Sequence, residues 1–279
     1  MPFFEKLLAR RSFGHLAAAA TIGAVNAPAV AAESSSRLAM SPEDQLKLMV
    51  RFQGSLEPED CTWYYYGRMF AQIGDAAPKP LCGLVGAETY WIVPRNDGTF
   101  AMSASTFSYP TVLDSDEPLT KFENPYTGAV NTPVPNLYRN DSATMMTPAG
   151  MIHGPGLKPD PYNLSITQVG DTMLIVHDVG QAQMPQPHRE LSTMFVSVAD
   201  YRNPAVKKLK GISAEQFISR WPSWMGMGDR PGHTIWQVAA KKVMSPDELP
   251  APYLKRIQAE HPTHLSAKPG TQGTTRTVY

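Results

Sequence analysis

Cysteine is nearly absent: Cys61 and Cys82 are the two in 279 residues. A dense disulfide framework and a cysteine-rich zinc site are therefore both excluded. Charge of one sign is also lacking, since 25 basic residues face 25 acidic ones. That balance leaves no electrostatic footprint for nucleic acid or for an anionic membrane surface. Long hydrophobic runs are missing too, because the one Ala-rich stretch near the N-terminus is broken by Gly23, Asn26 and Pro28 and is too short for a membrane span. There is no HExxH, no acidic calcium loop and no GxSxG elbow, and the glycines of "GMGDRPG" (Gly226, Gly228, Gly232) have the wrong spacing for a dinucleotide loop. A metal site would require His153, His177, His188 or His233 to converge from distant positions, so neither metal nor cofactor is expected.

What is present begins with a leader-like segment. Arg10 and Arg11 are followed by Phe13, a weakly apolar stretch and Ala29-Val30-Ala31, which resembles a twin-arginine export signal cut after residue 31. The mature chain would then work in the periplasm as one domain over 32–267, with a loose tail over 268–279. In that oxidising compartment a Cys61–Cys82 disulfide would contribute roughly 3 kcal/mol; two separate buried thiols are the other reading.

Proline is plentiful, 26 residues scattered along the chain, which suits many short elements joined by rigid turns. Ser41, Pro42 and Asp44 open a helix in "SPEDQLKLMVRF". Period-two segments follow at about 62–73, 81–93, 99–109, 163–169, 173–179, 191–201 and 234–243. Asn96-Asp97-Gly98 and Gly170-Asp171 mark hairpins, so neighbouring strands run antiparallel. Ser213 and Gln216 have capping-box spacing, which predicts a helix in "SAEQFISRW", and "PYLKRIQAEHP" predicts a last helix stopped by Pro262. The interval 122–161 carries no strand signal and is expected to be a long functional loop.

The segment "CTWYYYGRMFAQ" is aromatic on both faces of one strand. Trp63, Tyr65, Gly67 and Met69 share one side, and Tyr64, Tyr66, Arg68 and Phe70 the other. Phenols and a guanidinium buried in a solid core would each need a partner, whereas a ligand-filled cavity would relieve that cost of about 1–3 kcal/mol per unmet group. The competing reading keeps the tyrosines in the core with Arg68 in water. His177 sits among apolar residues in "TMLIVHDVG", either as a satisfied core histidine or as a general base; adjacent Asp178 must face the opposite way. His153 and His188 lie in loops, and Pro125 and Gly128 fix a turn from which Tyr126 projects.

The blocks "RFQGSL", "TWYYYGRMFAQ", "FENPYTGAVNTPVPN" and "WPSWMGMGDRPGHTIWQVAAKKVMSPDELP" resemble, in order and spacing, the exported bacterial family called domain of unknown function 1838. The resemblance implies a mainly β, antiparallel barrel of lipocalin or calycin-like type with short flanking helices; it brings no established catalytic set. Trp221, Trp224, Met225 and Met227 read as a hydrophobic plug at one end.

Two functions are carried forward. The first is a cofactor-independent lyase, isomerase or cyclase acting on an apolar, aromatic compound, with His177, Tyr66 and Arg68 as catalytic candidates and Tyr64, Phe70, Tyr126, His153 and His188 around the substrate. The second is a carrier holding such a ligand unchanged. A small hydrophobic or aromatic partner is expected in both cases, and neither nucleic acid nor a membrane span in the mature form.

Overall fold

A computed structural model describes residues 36–179 and 189–270. The leader-like segment, His188 and the end of the tail from residue 271 therefore lie outside the described residues.

The chain is mainly β. Its strands are β1 (Ser36–Arg37), β2 (Asp60–Gln72), β3 (Lys79–Pro94), β4 (Phe100–Thr111), β5 (Phe122–Glu123), β6 (Val130–Asn131), β7 (Leu137–Thr147), β8 (Gly150–Ile152), β9 (Leu164–Val169), β10 (Thr172–Val179), β11 (Arg189–Ser197), β12 (Ile212–Ser219) and β13 (His233–Val243). Eleven of them form one sheet in the order β1-β9-β10-β11-β12-β13-β2-β3-β4-β7-β8, and β5 pairs with β6 apart from it. Every ladder is antiparallel. Among the described residues the α-helices are α1 (Pro42–Gln53), α2 (Val198–Arg202) and α3 (Ala251–Glu260). Among the described residues no helix is long and apolar enough to cross a membrane.

All seven strand segments read from the period-two pattern are present, and both hairpins are where the turn residues put them. Arg95 N–H donates to Thr99 O at 2.9 Å, with Gly98 at φ 80°. Val169 pairs with Thr172 around Gly170 at φ 57°. Three expectations need correction. Residues 212–219 form β12, not a helix: Ser213, Glu215 and Phe217 alternate with Ile212, Ala214, Gln216 and Ile218 between two ladder partners, and paired neighbours on both sides outweigh a local capping signal. The interval 122–161 holds β5 to β8, and β7 pairs along β4; its polar "RNDSAT" centre hides the alternation. The end of the 191–201 segment turns helical at Val198, where Ser197 Oγ accepts from Asp200 N–H.

Ser41 caps α1 by accepting from Asp44 N–H at 3.1 Å, and the helix buries Leu46, Leu48, Met49, Val50 and Phe52. Those residues share one apolar cluster with Met146 and Met151 from one flank of the sheet and Ile166, Met173 and Ile175 from the other. The sheet therefore curves around α1, although no ladder among the described residues joins its edge strands β1 and β8. Lys242, 1% exposed on β13, ties the helix down by donating to Arg51 O at 3.0 Å and Gly54 O at 2.9 Å, and its burial lowers its pKa to about 7. A second apolar cluster gathers Met69, Leu84, Phe122, Val134, Met225, Met227 and Trp236. On the outer side, α3 covers the sheet through Tyr253 and Ile257 against Val85, Ala87, Phe107 and Tyr109.

Cys61 and Cys82 are both buried and unbonded to each other. Each pairs with a different partner on the neighbouring strand, Tyr90 and Met69 respectively. Burial raises both thiol pKa values, to about 11 and about 12.

Candidate functional site

Ladder register decides which side chains meet. His177 on β10 pairs with Ser192 on β11, Ser192 with Glu215 on β12, Glu215 with Val238 on β13, and Val238 with Gly67 on β2. Directly paired residues point to the same face, so His177, Ser192 and Glu215 form one inward row. Gly67 belongs to that face, which places Tyr66 and Arg68 on the other. The structure thus does not bring Tyr66 and Arg68 to His177. Tyr64 and Tyr66 pack with the outer cluster beneath α3, and the Tyr64 ring meets Tyr253 edge-on at 5.6 Å. Arg68 is about half exposed and ion-paired with Asp114. Phe70 is half-buried and pairs with Ile235 next to a bulge in the β2–β3 ladder. The strand is aromatic on both faces because both faces are covered, one by the curved interior and the other by α3.

The remaining expected residues are dispersed. His153 follows β8, with Nδ1 3.4 Å from Thr144 Oγ1 and Nε2 3.9 Å from the Asp160 carboxylate. Tyr126 sits in the cap formed by the second apolar cluster. There the buried Asn124 accepts from Tyr126 N–H at 2.9 Å and donates to Met225 O at 2.6 Å. The "ENPYTG" corner is thereby locked onto the "WPSWMGMG" segment.

Between the two apolar clusters the inner face is polar. Ser213 Oγ donates to Glu215 Oε1 at 2.6 Å, Ser192 Oγ to Glu190 Oε1 at 3.2 Å, and Thr106 Oγ1 to Glu88 Oε1 at 3.0 Å. Three carboxyls on three strands each receive a serine or threonine hydroxyl, and Glu88 also hydrogen-bonds the Tyr90 phenol. Tyr90 lies beside them: burial first, then the neighbouring Glu88, Glu215 and Glu190 carboxyls, hold its phenol well above its ordinary pKa. Tyr65 reaches over Gly86 to hydrogen-bond Ser108; a Cβ on Gly86 would lie 2.5 Å from the Tyr65 ring, so only glycine permits that crossing. Glu88, Glu190, Glu215 and Tyr90 are all half-buried on this face.

Environment separates the chemistry of the row's two ionisable members. Desolvation, then the Glu190 carboxylate, push Glu215 up to about 8, so it retains its proton at neutral pH. Desolvation drops His177 to about 4, with Asp178 acting weakly the other way. Its imidazole is neutral, 3% exposed, and its Nε2 has no hydrogen-bond partner. A neutral acid and a neutral base therefore share one face, an arrangement suited to moving a proton on a bound molecule.

The carboxyls were missed in the sequence because each looked like ordinary strand polarity. One available signal was Glu88 inside the otherwise apolar "GLVGAETYWIVP". Among the described residues no three of His, Cys, Asp and Glu are grouped to hold a metal ion. A separate outer cleft of about 270 Å³, lined by Pro110, Pro118, Leu119, Val134, Pro135 and Arg256, offers a single ionisable group, and Arg256 there stacks on Tyr109 at 3.7 Å. The family model described as "Protein of unknown function (DUF1838)" matches residues 58–277. No curated protein and no solved structure matches the chain.

Proposed function

This chain belongs to the DUF1838 family of proteins of unknown function, and we propose that it is an exported, small-molecule-processing protein whose curved sheet works as a lipocalin-like, barrel-type enclosure. Within it, a cofactor-independent lyase or isomerase reaction proceeds by general acid–base catalysis on an apolar, aromatic compound. Glu215 is the acid and His177 the base, in place of Tyr66 and Arg68. The observation that carries this reading is the inward row in which an unpartnered buried imidazole follows Ser192 and a carboxyl that keeps its proton. The apolar clusters at either end of the polar belt suit an apolar ligand body, and the belt suits one polar group on it.

Native mass spectrometry of the protein exported by its own host tests the reading by identifying a co-purifying small molecule. That molecule is then incubated with the wild type and with Glu215→Gln and His177→Gln. Conversion by the wild type that drops at least ~100-fold in either variant supports catalysis. A molecule left unchanged by all three proteins identifies a carrier, and a stoichiometric metal would end the cofactor-free mechanism.

A further inference from the structure

The outer face of the sheet is covered on one half and bare on the other. Beneath α3, outward residues of β3 and β4 belong to an apolar cluster closed by Tyr253 and Ile257. Over β10, β11 and β12 the outward residues belong to none of the three apolar clusters, yet most are not polar. Register sets Phe195 between Leu174 and Ile212, Thr193 between Val176 and Ala214, and Leu191 between Asp178 and Gln216, all on the side opposite His177 and Glu215. Val176, Leu191, Phe195 and Ile212 are each between 37% and 49% exposed. An antiparallel sheet with one face in water ordinarily alternates apolar-in with polar-out. These three strands carry apolar side chains on both faces, and a contiguous exposed apolar patch marks a contact surface. We propose that this bare face packs against the same face of a second copy of the chain, as a twofold dimer.

Three observations select a second copy as the occupant. The centre of the face carries no charge, and charges at its rim are matched within the chain, Arg189 with Asp178 at 2.6 Å at one corner and Lys241 with Glu248 at 3.6 Å at the opposite one. A strongly charged partner would find no free counter-charge there, whereas an identical neutral face strands none. The polar groups among the apolar ones are Thr193, Gln216 and, paired with Gln216 on β13, Gln237. Each offers both a donor and an acceptor, so each can meet its own copy across a twofold axis without like facing like. Size is the third observation. Strand spacing and rise over β10 to β13 give an outer face of about 19 Å by 24 Å, on the order of 500 Å² per copy. Two copies would bury on the order of 1,000 Å² in total, the area at which specific interfaces begin.

Sedimentation velocity of the full mature protein between about 1 and 100 μM tests the proposal. The expected result is a reversible monomer–dimer equilibrium with Kd on the order of 10 μM, as so modest an area implies. Leu191→Lys and Ala214→Glu each put a charge into the middle of the face and should raise that Kd at least ~30-fold while leaving the urea midpoint of the monomer unchanged. Val112→Lys, at an exposed position outside this face, should leave the equilibrium as it is. A wild type that stays monomeric across the range overturns the proposal, and so does a dimer that both variants retain. A monomer whose urea midpoint falls in both variants would show that a segment of the chain itself covers the face. Flotation of a monomer with phosphatidylcholine vesicles, lost in Ala214→Glu, would assign the face to a membrane; either result overturns the dimer. Should one variant not fold, the other and the wild type decide.

Discussion

At the scale of single residues, the informative feature is the cost of keeping ionisable groups inside. Glu215 has a folded-state pKa raised to about 8 from an ordinary 4.5. The folded chain therefore binds the extra proton, and the associated stability is complete below pH 4.5 and lost as pH rises towards 8. Glu215→Gln removes that loss. The variant should gain roughly 2–4 kcal/mol over the wild type between pH 5 and pH 8 in urea unfolding, while losing turnover. Equal pH profiles for the two proteins would show that Glu215 ionises freely. His177 has the opposite sign. Its pKa is lowered from 6.5 to about 4, so the folded state excludes a proton that the unfolded chain accepts, and stability falls as pH drops from 6.5 to 4. The loss should be roughly 3 kcal/mol in the wild type and nearly absent in His177→Gln, read from denaturation midpoints across that window. A desolvated carboxyl such as Glu215, which lowers stability near neutrality and is nonetheless present, fits a site under functional demand.

Two contacts matter most at the scale of elements. Lys242 holds the C-terminal end of α1 through the Arg51 and Gly54 carbonyls. Lys242→Met keeps the volume and leaves two buried acceptors unmet, so it should destabilise by roughly 2–4 kcal/mol and raise amide exchange in α1 before the sheet. Uniform loss of protection throughout the chain would argue against a local latch. On β3, Gly86→Ala puts a Cβ 2.5 Å from the Tyr65 ring. The ring must then leave Ser108, so the variant should be destabilised by roughly 1–3 kcal/mol through the lost hydrogen bond, whereas Gly98→Ala, in an open turn with nothing near its Cβ, should cost only the strain of its positive φ. Urea denaturation midpoints of both variants check the contrast.

For the molecule as a whole, the curvature of the sheet buries both thiols on its inner face and should make them inert in the native state. Cys61 and Cys82 are buried and unbonded, and burial raises both pKa values. A thiol reagent should modify neither in the native state and two per chain after full unfolding, with labelling rates following the global unfolding equilibrium in denaturant. Rapid reaction of either cysteine under native conditions would mean that the curved sheet opens locally. The same global arrangement sets the fate of the residues chosen from the sequence. Of the three catalytic candidates, His177 reached the interior, whereas Tyr66 and Arg68 lie on the side that packs under α3 or faces water.

The sequence alone determined what short-range physics controls: seven strands from alternation, two hairpins from Asn96-Asp97-Gly98 and Gly170-Asp171, and α1 and α3 from caps, proline and spacing. It also divided the aromatic strand into its two faces correctly, because that division follows from a two-residue period. Which face turns inward was decided by tertiary structure, since it depends on where α3 returns and how the sheet curves, both set by contacts far apart in the chain. The same holds for Glu88, Glu190 and Glu215. Each is unremarkable on its own strand, and only the pairing of distant strands puts them on one face, where desolvation and the Glu190 carboxylate raise the pKa of Glu215.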